Sequence, residues 1–489
     1  MFSRALKVHF VGIGGIGMSG IAEVLLTLGW SVSGSDLRSS PVTERLAGMG
    51  ARILLGHAAE NLHDAEVVVT STAVHGDNPE VKAAHRLQIP VIPRAEMLAE
   101  LMRLKFGIAV GGMHGKTTTT SMIATVLAKL DPTVVVGGRL DLIGSNARLG
   151  GSEYLVAEAD ESDRSFLKLA PIISVITNID REHLDCYRDL DDIDEAFVGF
   201  ADRVPFYGTV VACADDPGVR RVLPRLRRRT LTYGTHPEAD LQLSDIRLAP
   251  YSARFQLQQT PAAARQFSRT GAVSPDLGEF ELNVPGRHNV FNATAALAVA
   301  LLLGRDLEEA RAALAKFHGV DRRFQRKAEL NGVTVIDDYG HHPTEIAATL
   351  AAARQCEFTR ILMLFQPHRY TRTHLLMDEF VTALRGADCN FLLDIYAASE
   401  APIPGVSTPE LVARMRAAGV AGEYMADAET AVQRIVAEAK PGDLILTQGA
   451  GNVSALSDRI VEVLRARAGA AATEGAPAGL PGTAGHARR

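Results

Sequence analysis

One stretch restricts the possible folds of this chain more than any other: Ile108-Ala-Val-Gly-Gly-Met-His-Gly-Lys-Thr-Thr-Thr-Thr-Ser-Met122. An apolar, strand-like run ends in glycines, and Gly115-Lys116-Thr117 then opens a helical pattern. This is the layout of a phosphate-binding loop, in which glycines let several N–H groups point at one anion. The helix N-terminus adds partial positive charge, Lys116 adds a full one, and a threonine hydroxyl can ligate Mg²⁺. The stretch predicts an α/β domain that binds a nucleoside triphosphate. The common G-x-x-x-x-G-K-[ST] pattern would put glycine at position 110, where this chain has Val110. Glycine begins at Gly111, so the loop is one residue tighter.

That domain does not account for the whole chain. Its 489 residues are too many for one core and predict about three domains of roughly 150 residues each. A net charge of −6 argues against bulk electrostatic binding to nucleic acid. The four cysteines, Cys186, Cys213, Cys356 and Cys389, form no Cys-x-x-Cys pair. Neither a disulfide framework nor a thiolate zinc site is indicated, and a reducing cytoplasm fits best. The N-terminus runs straight into a strand-and-glycine pattern, without an apolar segment and cleavage site, and the apolar run Ala293 to Leu303 is too short to span a bilayer. A cytoplasmic, unprocessed protein with no membrane insertion is expected. Whether it is a monomer or a dimer is open.

From the start, Val8-His-Phe-Val-Gly-Ile-Gly-Gly-Ile-Gly-Met-Ser-Gly-Ile-Ala22 reads as a strand, a Gly12-x-Gly14-x-x-Gly17 turn and a helix, and Asp36 ends a second strand. Taken alone, this dinucleotide-type fingerprint favours an NAD enzyme. The glycines guarantee only close approach of backbone to some phosphate or to a packed helix. The strand Val67 to Ala73 carries Ser71 and Thr72 at its C-terminal end, where ligands bind open parallel sheets. A domain boundary follows near residue 105.

In the second domain, the strand beginning at Tyr154 ends in four acids within six residues, Glu158, Asp160, Glu161 and Asp163. Such crowded carboxylates repel unless a cation sits among them, and an NTPase needs carboxylates to hold Mg²⁺. A further strand, Ile172 to Asp180, leads to His183, readable as an exposed loop histidine or as a ligand. From about 205 to 285 the chain has short β-like pieces. Arg225 to Arg229 reads as a solvated basic turn, and Pro261 to Asp276 as a surface loop. Asn289 and Asn292 then stand three apart at the start of an apolar helix, where they can read a nucleobase edge or cap the helix.

After a second boundary near 319, three strands end in polar loops: Val333 to Pro343, Ile361 to Arg372, and Leu444 to Gly451. Because βαβ crossovers keep strand directions equal, all three loops would reach one sheet edge, so that Arg369, Arg372, His341, His342 and His368 converge on a cleft for an anionic substrate. The Ala-, Gly- and Pro-rich tail from Ala468 reads as disordered.

The order of the glycine turn, Gly112-Met-His-Gly-Lys-Thr-Thr, Ala159-Asp-Glu-Ser-Asp, Asn178-Ile-Asp-Arg-Glu-His-Leu-Asp, Gly286-Arg-His-Asn-Val-Phe-Asn, Arg322-Arg-Phe-Gln and Asp337-Asp-Tyr-Gly-His-His-Pro-Thr-Glu resembles the ATP-dependent Mur ligases of peptidoglycan synthesis. Phe365-Gln-Pro-His-Arg-Tyr-Thr-Arg-Thr373 and Asp394-Ile-Tyr-Ala-Ala-Ser-Glu-Ala-Pro402 make it most similar to the branch that joins L-alanine to the lactyl carboxylate of UDP-N-acetylmuramate. The resemblance runs from about residue 7 to 465. It implies a Rossmann-like UDP-sugar domain (1–105), a central P-loop ATPase-type α/β domain (106–318), a Rossmann-like C-terminal domain that closes over amino acid and ATP (319–467), and the tail (468–489).

The resemblance also implies roles. Gly12, Gly14, Gly15 and Gly17, with Asp36, Ser71 and Thr72, would carry the sugar nucleotide in place of a nicotinamide cofactor. Gly112, His114, Gly115, Lys116, Thr117 and Thr118 would hold ATP, and Thr117, Glu161 and His183 would hold Mg²⁺. Asn289, Asn292, Arg323 and Asp337 would contact the nucleotide. Tyr339, His341, Arg369 and Arg372, beside Asp337, would surround the acceptor carboxylate and the amino acid. Lys116, Glu161, His183, His341, Arg369 and Arg372 are the expected catalytic set. The family usually has threonine at the position of Met113. Some members use a carbamylated lysine, but this chain has no lysine between His183 and Arg203. The competing readings are a ligase adding a recycled tripeptide to the same acceptor and, outside the family, an NAD-dependent oxidoreductase or a nucleotide-sensing protein.

Overall fold

The structure, a computed structural model, describes residues 6–71, 73–140, 145–184, 186–267 and 275–474. It divides into two compact units, Met1–Asp321 and Arg322–Arg489.

The first unit holds two sheets. Five parallel strands, Lys7–Val11, Ser31–Asp36, Arg52–Leu55, Val67–Thr70 and Val91–Pro93, lie in the spatial order third, second, first, fourth, fifth. The order reverses beside the first strand, and a parallel sheet opens its ligand crevice at such a point. The glycine turn leads from that strand into the helix Ile16–Thr27.

A ten-stranded sheet follows, parallel through its middle and closed at both ends by antiparallel pairs. Its strand Phe106–Gly111 is buried from Gly107 onward, as expected of a parallel strand covered on both faces. It runs between Ile173–Ile176 and Tyr154–Glu158, with Gly111 opposite Ile176 and Val110 opposite Glu158. This register sets the glycine loop beside Thr177–Asn178 on one side and the acidic strand end on the other.

Alternate residues of Phe106–Gly111 feed two cores, as the two-residue period of a strand requires. Ile108 and Val110 join Met122, Ile123, Ala293 and Leu297 from the helices Lys116–Val126 and Arg287–Leu302. Ala109 faces the opposite core, with Phe166, Phe197 and Phe200, which runs on into Val24, Leu25 and Met97 of the first sheet's layer. The two sheets therefore share one core.

The second unit is a six-stranded sheet in the order Gln325–Leu330, Val333–Asp338, Leu444–Gln448, Ile361–Phe365, Cys389–Leu392, Glu423–Tyr424, antiparallel only at its first pair. Asp338 and Phe365 both pair with Gln448, so three strand ends lie at one edge.

Two sequence expectations differ from what is seen. Pro261–Phe267, read as surface loop, is a short helix that buries Ala263, Ala264 and Phe267. The helix Val453–Glu474 continues through the first residues of the expected disordered tail; 475–489 lie outside the described residues. Among the described residues no helix is long and apolar enough to cross a membrane, and none of the four cysteines forms a disulfide with another.

Candidate functional site

The loop after Phe106–Gly111 is set by contacts that exclude side chains. Gly112 has φ +139°, and a Cβ there would lie 2.0 Å from Thr177 Oγ1; Gly115 has φ +79°, and its Cβ would lie 2.8 Å from Asn292 Oδ1. Only glycine fits such positions without strain. Thr177 Oγ1 and Asn178 Nδ2 each donate to the His114 carbonyl at 2.8 Å, and the His114 N–H donates to Asn178 Oδ1 at 2.8 Å. Among the described residues no side chain caps the helix Lys116–Val126, the condition for an anion site at its N-terminus.

Lys116 Nζ donates to the carbonyls of Gly112 (2.7 Å) and Met113 (3.1 Å) and to Glu161 Oε1 (2.8 Å). Burial works against the ammonium, but Glu161, with Asp160 and Glu182 further off, outweighs it and raises Lys116 above the ordinary lysine range. Met113 is only 4% exposed and packs into the core that contains Phe197 and Phe200.

Glu161 and His183, the expected metal pair, meet in the structure: His183 Nε2 lies 3.3 Å from Glu161 Oε1. His183 sits at φ +54°, a strained turn for a residue with a Cβ. Glu161 is 1% exposed and its Oε2 makes no hydrogen bond to a described residue. A buried carboxylate oxygen with no hydrogen-bond partner among the described residues, beside an imidazole, suits a hard divalent cation, so Glu161 and His183 fit Mg²⁺. Tyr187 supports the pair from behind, donating its hydroxyl to the Glu161 carbonyl at 2.6 Å. Thr118 is buried in the first turn of the loop's helix.

At the glycine turn, the N–H groups of Gly12 and Ile13 donate to the Ser35 carbonyl at 2.8 and 3.0 Å. Gly14 N–H donates to Asp36 Oδ2 at 2.9 Å. Gly15 precedes the helix Ile16–Thr27, which has no side-chain cap among the described residues. A Cβ on Gly17 would lie 2.3 Å from Arg94 Nη1, and Arg94 Nη2 reaches Asp160 Oδ2 at 3.4 Å. Sequence reasoning missed Arg94, a cation linking the turn to the acidic strand end; the signal was an arginine directly after Pro93 at a strand's C-terminal end. Ser71 follows the strand Val67–Thr70, half-buried; Thr72 lies outside the described residues.

Asn289 and Asn292 are buried against the phosphate loop's helix. Asn292 Oδ1 accepts from Thr119 Oγ1 at 3.1 Å, its Nδ2 donates to Asn289 Oδ1 at 3.2 Å, and Asn289 Nδ2 donates to the Pro285 carbonyl at 2.7 Å. The amides are engaged in joining two helices behind Gly115.

In the second unit, Tyr339, His341, His368 and Tyr396 form a row of rings with neighbouring centres 5.4–5.5 Å apart. Arg322 and Arg323 stack over Tyr339 at 4.8 and 5.1 Å. Arg372 Nη1 donates to the His368 carbonyl and Nδ1, both at 3.1 Å. Arg369, at φ +71°, has Nη1 3.9 Å from Glu400 Oε1. The expected convergence is present for His341, His368, Arg369 and Arg372. His342 is buried and also caps the helix Pro343–Gln355, its Nδ1 accepting from Thr344 N–H at 3.3 Å. Asp337 is fully buried, with its carboxylate accepting from Thr447 (2.6 Å), Ser454 (2.7 Å) and Arg322 (3.3 Å).

Three family models match in sequence order: Mur ligase family, catalytic domain, over residues 7–106; Mur ligase middle domain over 110–300; and Mur ligase, glutamate ligase domain, over 322–451. The chain belongs to the Mur ligase family, and its three-domain α/β architecture is the family's. Among its relatives, UDP-N-acetylmuramate–L-alanine ligase of Koribacter versatilis is 59% identical over 470 residues, covering 96% of this chain and 99% of that protein. The enzyme of the same name from Solibacter usitatus is 58% identical over 469 residues, 95% and 97% of the two chains. The crystal structure of UDP-N-acetylmuramate-alanine ligase MurC from Thermotoga maritima superimposes with a TM-score of 0.76 at 30% identity, over 94% of this chain and all of that one.

Proposed function

We propose that this chain joins L-alanine to the lactyl carboxylate of UDP-N-acetylmuramate, converting ATP to ADP and phosphate, as a step in making peptidoglycan precursors. The observation that carries the reading is the phosphate loop with Lys116 held against Glu161, in a chain more than half identical over nearly its whole length to ligases named for this reaction.

A carboxylate does not acylate an amine at neutral pH, so it must first be activated. A lactyl carboxylate oxygen attacks the γ-phosphorus of ATP, the bond to the β-bridging oxygen breaks, and ADP leaves an acyl phosphate. Phosphoryl transfer depends on positioning and charge neutralisation. The loop N–H groups and Lys116 supply both. Glu161, His183 and Thr117 would hold Mg²⁺, which spreads the developing charge on the phosphate oxygens when bound. The amine of L-alanine then attacks the acyl carbon, phosphate departs, and the amine proton passes to a base, for which His341 and an oxygen of the bound phosphate are the candidates. Arg369 and Arg372 carry the charge needed to hold the carboxylate of the incoming amino acid. Gly12 to Gly17 with Asp36 would hold the uridine diphosphate, and Asn289, Asn292 and Arg323 would lie at the ATP nucleotide.

The test is phosphate release from ATP in the presence of UDP-N-acetylmuramate and Mg²⁺, comparing L-alanine, L-serine, glycine and the tripeptide. Stimulation by L-alanine above the others is expected. Stimulation by the tripeptide alone would move the chain to the recycling reaction, and release with none of the four would sink the ligase reading.

A further inference from the structure

Glu80 belongs to none of the motifs read above, yet its carboxylate is fully buried beside the first sheet. Oε2 accepts from Ser35 Oγ at 2.6 Å, and Oε1 accepts from Asn61 Nδ2 at 2.6 Å and from the Ala58 N–H at 3.3 Å. The imidazoles of His9 and His57 stand 3.6 and 3.5 Å from Oε2. Burial pushes this carboxyl up, but His9, Ser35 and Asn61 outweigh it and hold it down to about 2. Glu80 is therefore an ion inside the domain. A buried ion is weak grounds for stability, since an apolar residue of the same volume often serves as well or better.

Its position suggests another use. The residue that donates to Glu80 through its hydroxyl, Ser35, accepts through its carbonyl from both Gly12 and Ile13. The next residue, Asp36, accepts from Gly14. The three successive N–H groups of the glycine turn are thus fixed by two adjacent residues, and one of these is tied to the buried carboxylate. Ser35 Oγ also lies 2.9 Å from His57 Nδ1, which ties the loop after the neighbouring strand Arg52–Leu55 to the same point.

We propose that Glu80 is a positioning residue for the sugar nucleotide: through Ser35 it fixes the backbone of Gly12 to Gly14 that cradles the diphosphate. This rests on the reading of that turn as the UDP site. Gln in place of Glu80 keeps the shape and removes the charge, and Ala in place of Ser35 cuts the link while leaving Glu80 its other partners.

The experiment is calorimetric titration of wild type, Glu80→Gln, Ser35→Ala and the double variant with UDP-N-acetylmuramate and, separately, with a non-hydrolysable ATP analogue. Amide hydrogen exchange at Gly12, Ile13 and Gly14 is measured without ligand. Loss of one hydrogen bond to a charged group corresponds to about a tenfold effect, so Glu80→Gln should raise the Kd for the sugar nucleotide about tenfold. It should speed exchange at the three amides similarly and leave the Kd for the ATP analogue unchanged. Ser35→Ala added to Glu80→Gln should change little further. A Glu80→Gln variant that melts at lower temperature but keeps wild-type Kd and exchange would overturn the proposal, as would fully additive effects of the two substitutions. If Glu80→Gln does not fold, Ser35→Ala decides by the same two readouts. If wild type fails to bind the sugar nucleotide, the function reading fails, and the exchange rates alone decide whether Glu80 fixes the turn.

Discussion

Lys116 touches two loop carbonyls and one carboxylate, so its removal has two consequences that can be measured apart. Lys116→Ala withdraws the only full positive charge of the loop motif. Phosphate release should fall about a hundred- to a thousandfold, the scale of losing a preorganised electrostatic contact in a transition state. It also leaves the 1%-exposed Glu161 without its ammonium partner, which costs roughly 3 kcal/mol in a denaturant titration. A folded variant with wild-type turnover would refute the assignment. Met113 makes the opposite point. The sequence shows a methionine where the family usually has threonine, and the natural inference is a missing loop hydroxyl that weakens ATP binding. The side chain instead lies in the core. Met113→Thr should therefore lose about 2–3 kcal/mol of stability through a cavity and a buried hydroxyl, with the Kd for ATP within twofold of wild type. Tighter ATP binding in that variant would restore the hydroxyl argument. A one-dimensional motif gives the residue at each position, but the direction of its side chain depends on packing from distant parts of the chain.

The elements were legible to different degrees for physical reasons. Strands buried on both faces of a parallel sheet read as continuous apolar runs, and ligand loops at their C-terminal ends follow from the equal direction that βαβ crossovers impose on the strands. That rule is enough to bring His341, His368, Arg369 and Arg372 to one edge. It does not give neighbour order: nothing local marks Thr177 and Asn178 as the pair that clamps the loop, because their contact depends on Ile173–Ile176 lying next to Phe106–Gly111. The helix cap made by His342 depends on the turn it sits in, and Arg94 and Glu80 act across more than forty residues of chain. The clamp carries its own prediction. At Gly112 any Cβ meets Thr177 Oγ1 at 2.0 Å and φ is +139°, so Gly112→Ala must push apart two adjacent strand ends. It should cost more than about 2 kcal/mol and raise the Kd for ATP at least tenfold. Melting and ATP affinity both at wild-type values would show that the loop has another conformation available.

For the whole molecule, chain length was enough to predict three domains, but not that the first two would share a core. Val24, Leu25 and Met97 pack in the same cluster as Phe166, Phe197 and Phe200, so a cut near residue 105 would expose apolar surface on both pieces. A cut at 321 follows the division between the two compact units. The consequence is a division of labour that can be tested. Residues 1–321 contain the glycine turn, the phosphate loop and the Glu161–His183 pair, whereas Tyr339, His341, Arg369 and Arg372 all fall in 322–489. Expressed alone, 1–321 should fold cooperatively and bind UDP-N-acetylmuramate within about tenfold of the full chain, since its own buried core is retained. It should release no phosphate in response to L-alanine at any concentration. A fragment ending near 105 should instead be insoluble or molten, because its share of the common core loses its cover. A soluble, cooperatively melting 1–105 fragment would show that the shared cluster is dispensable to the first sheet, and alanine-dependent phosphate release by 1–321 would remove the second unit from amino-acid recognition.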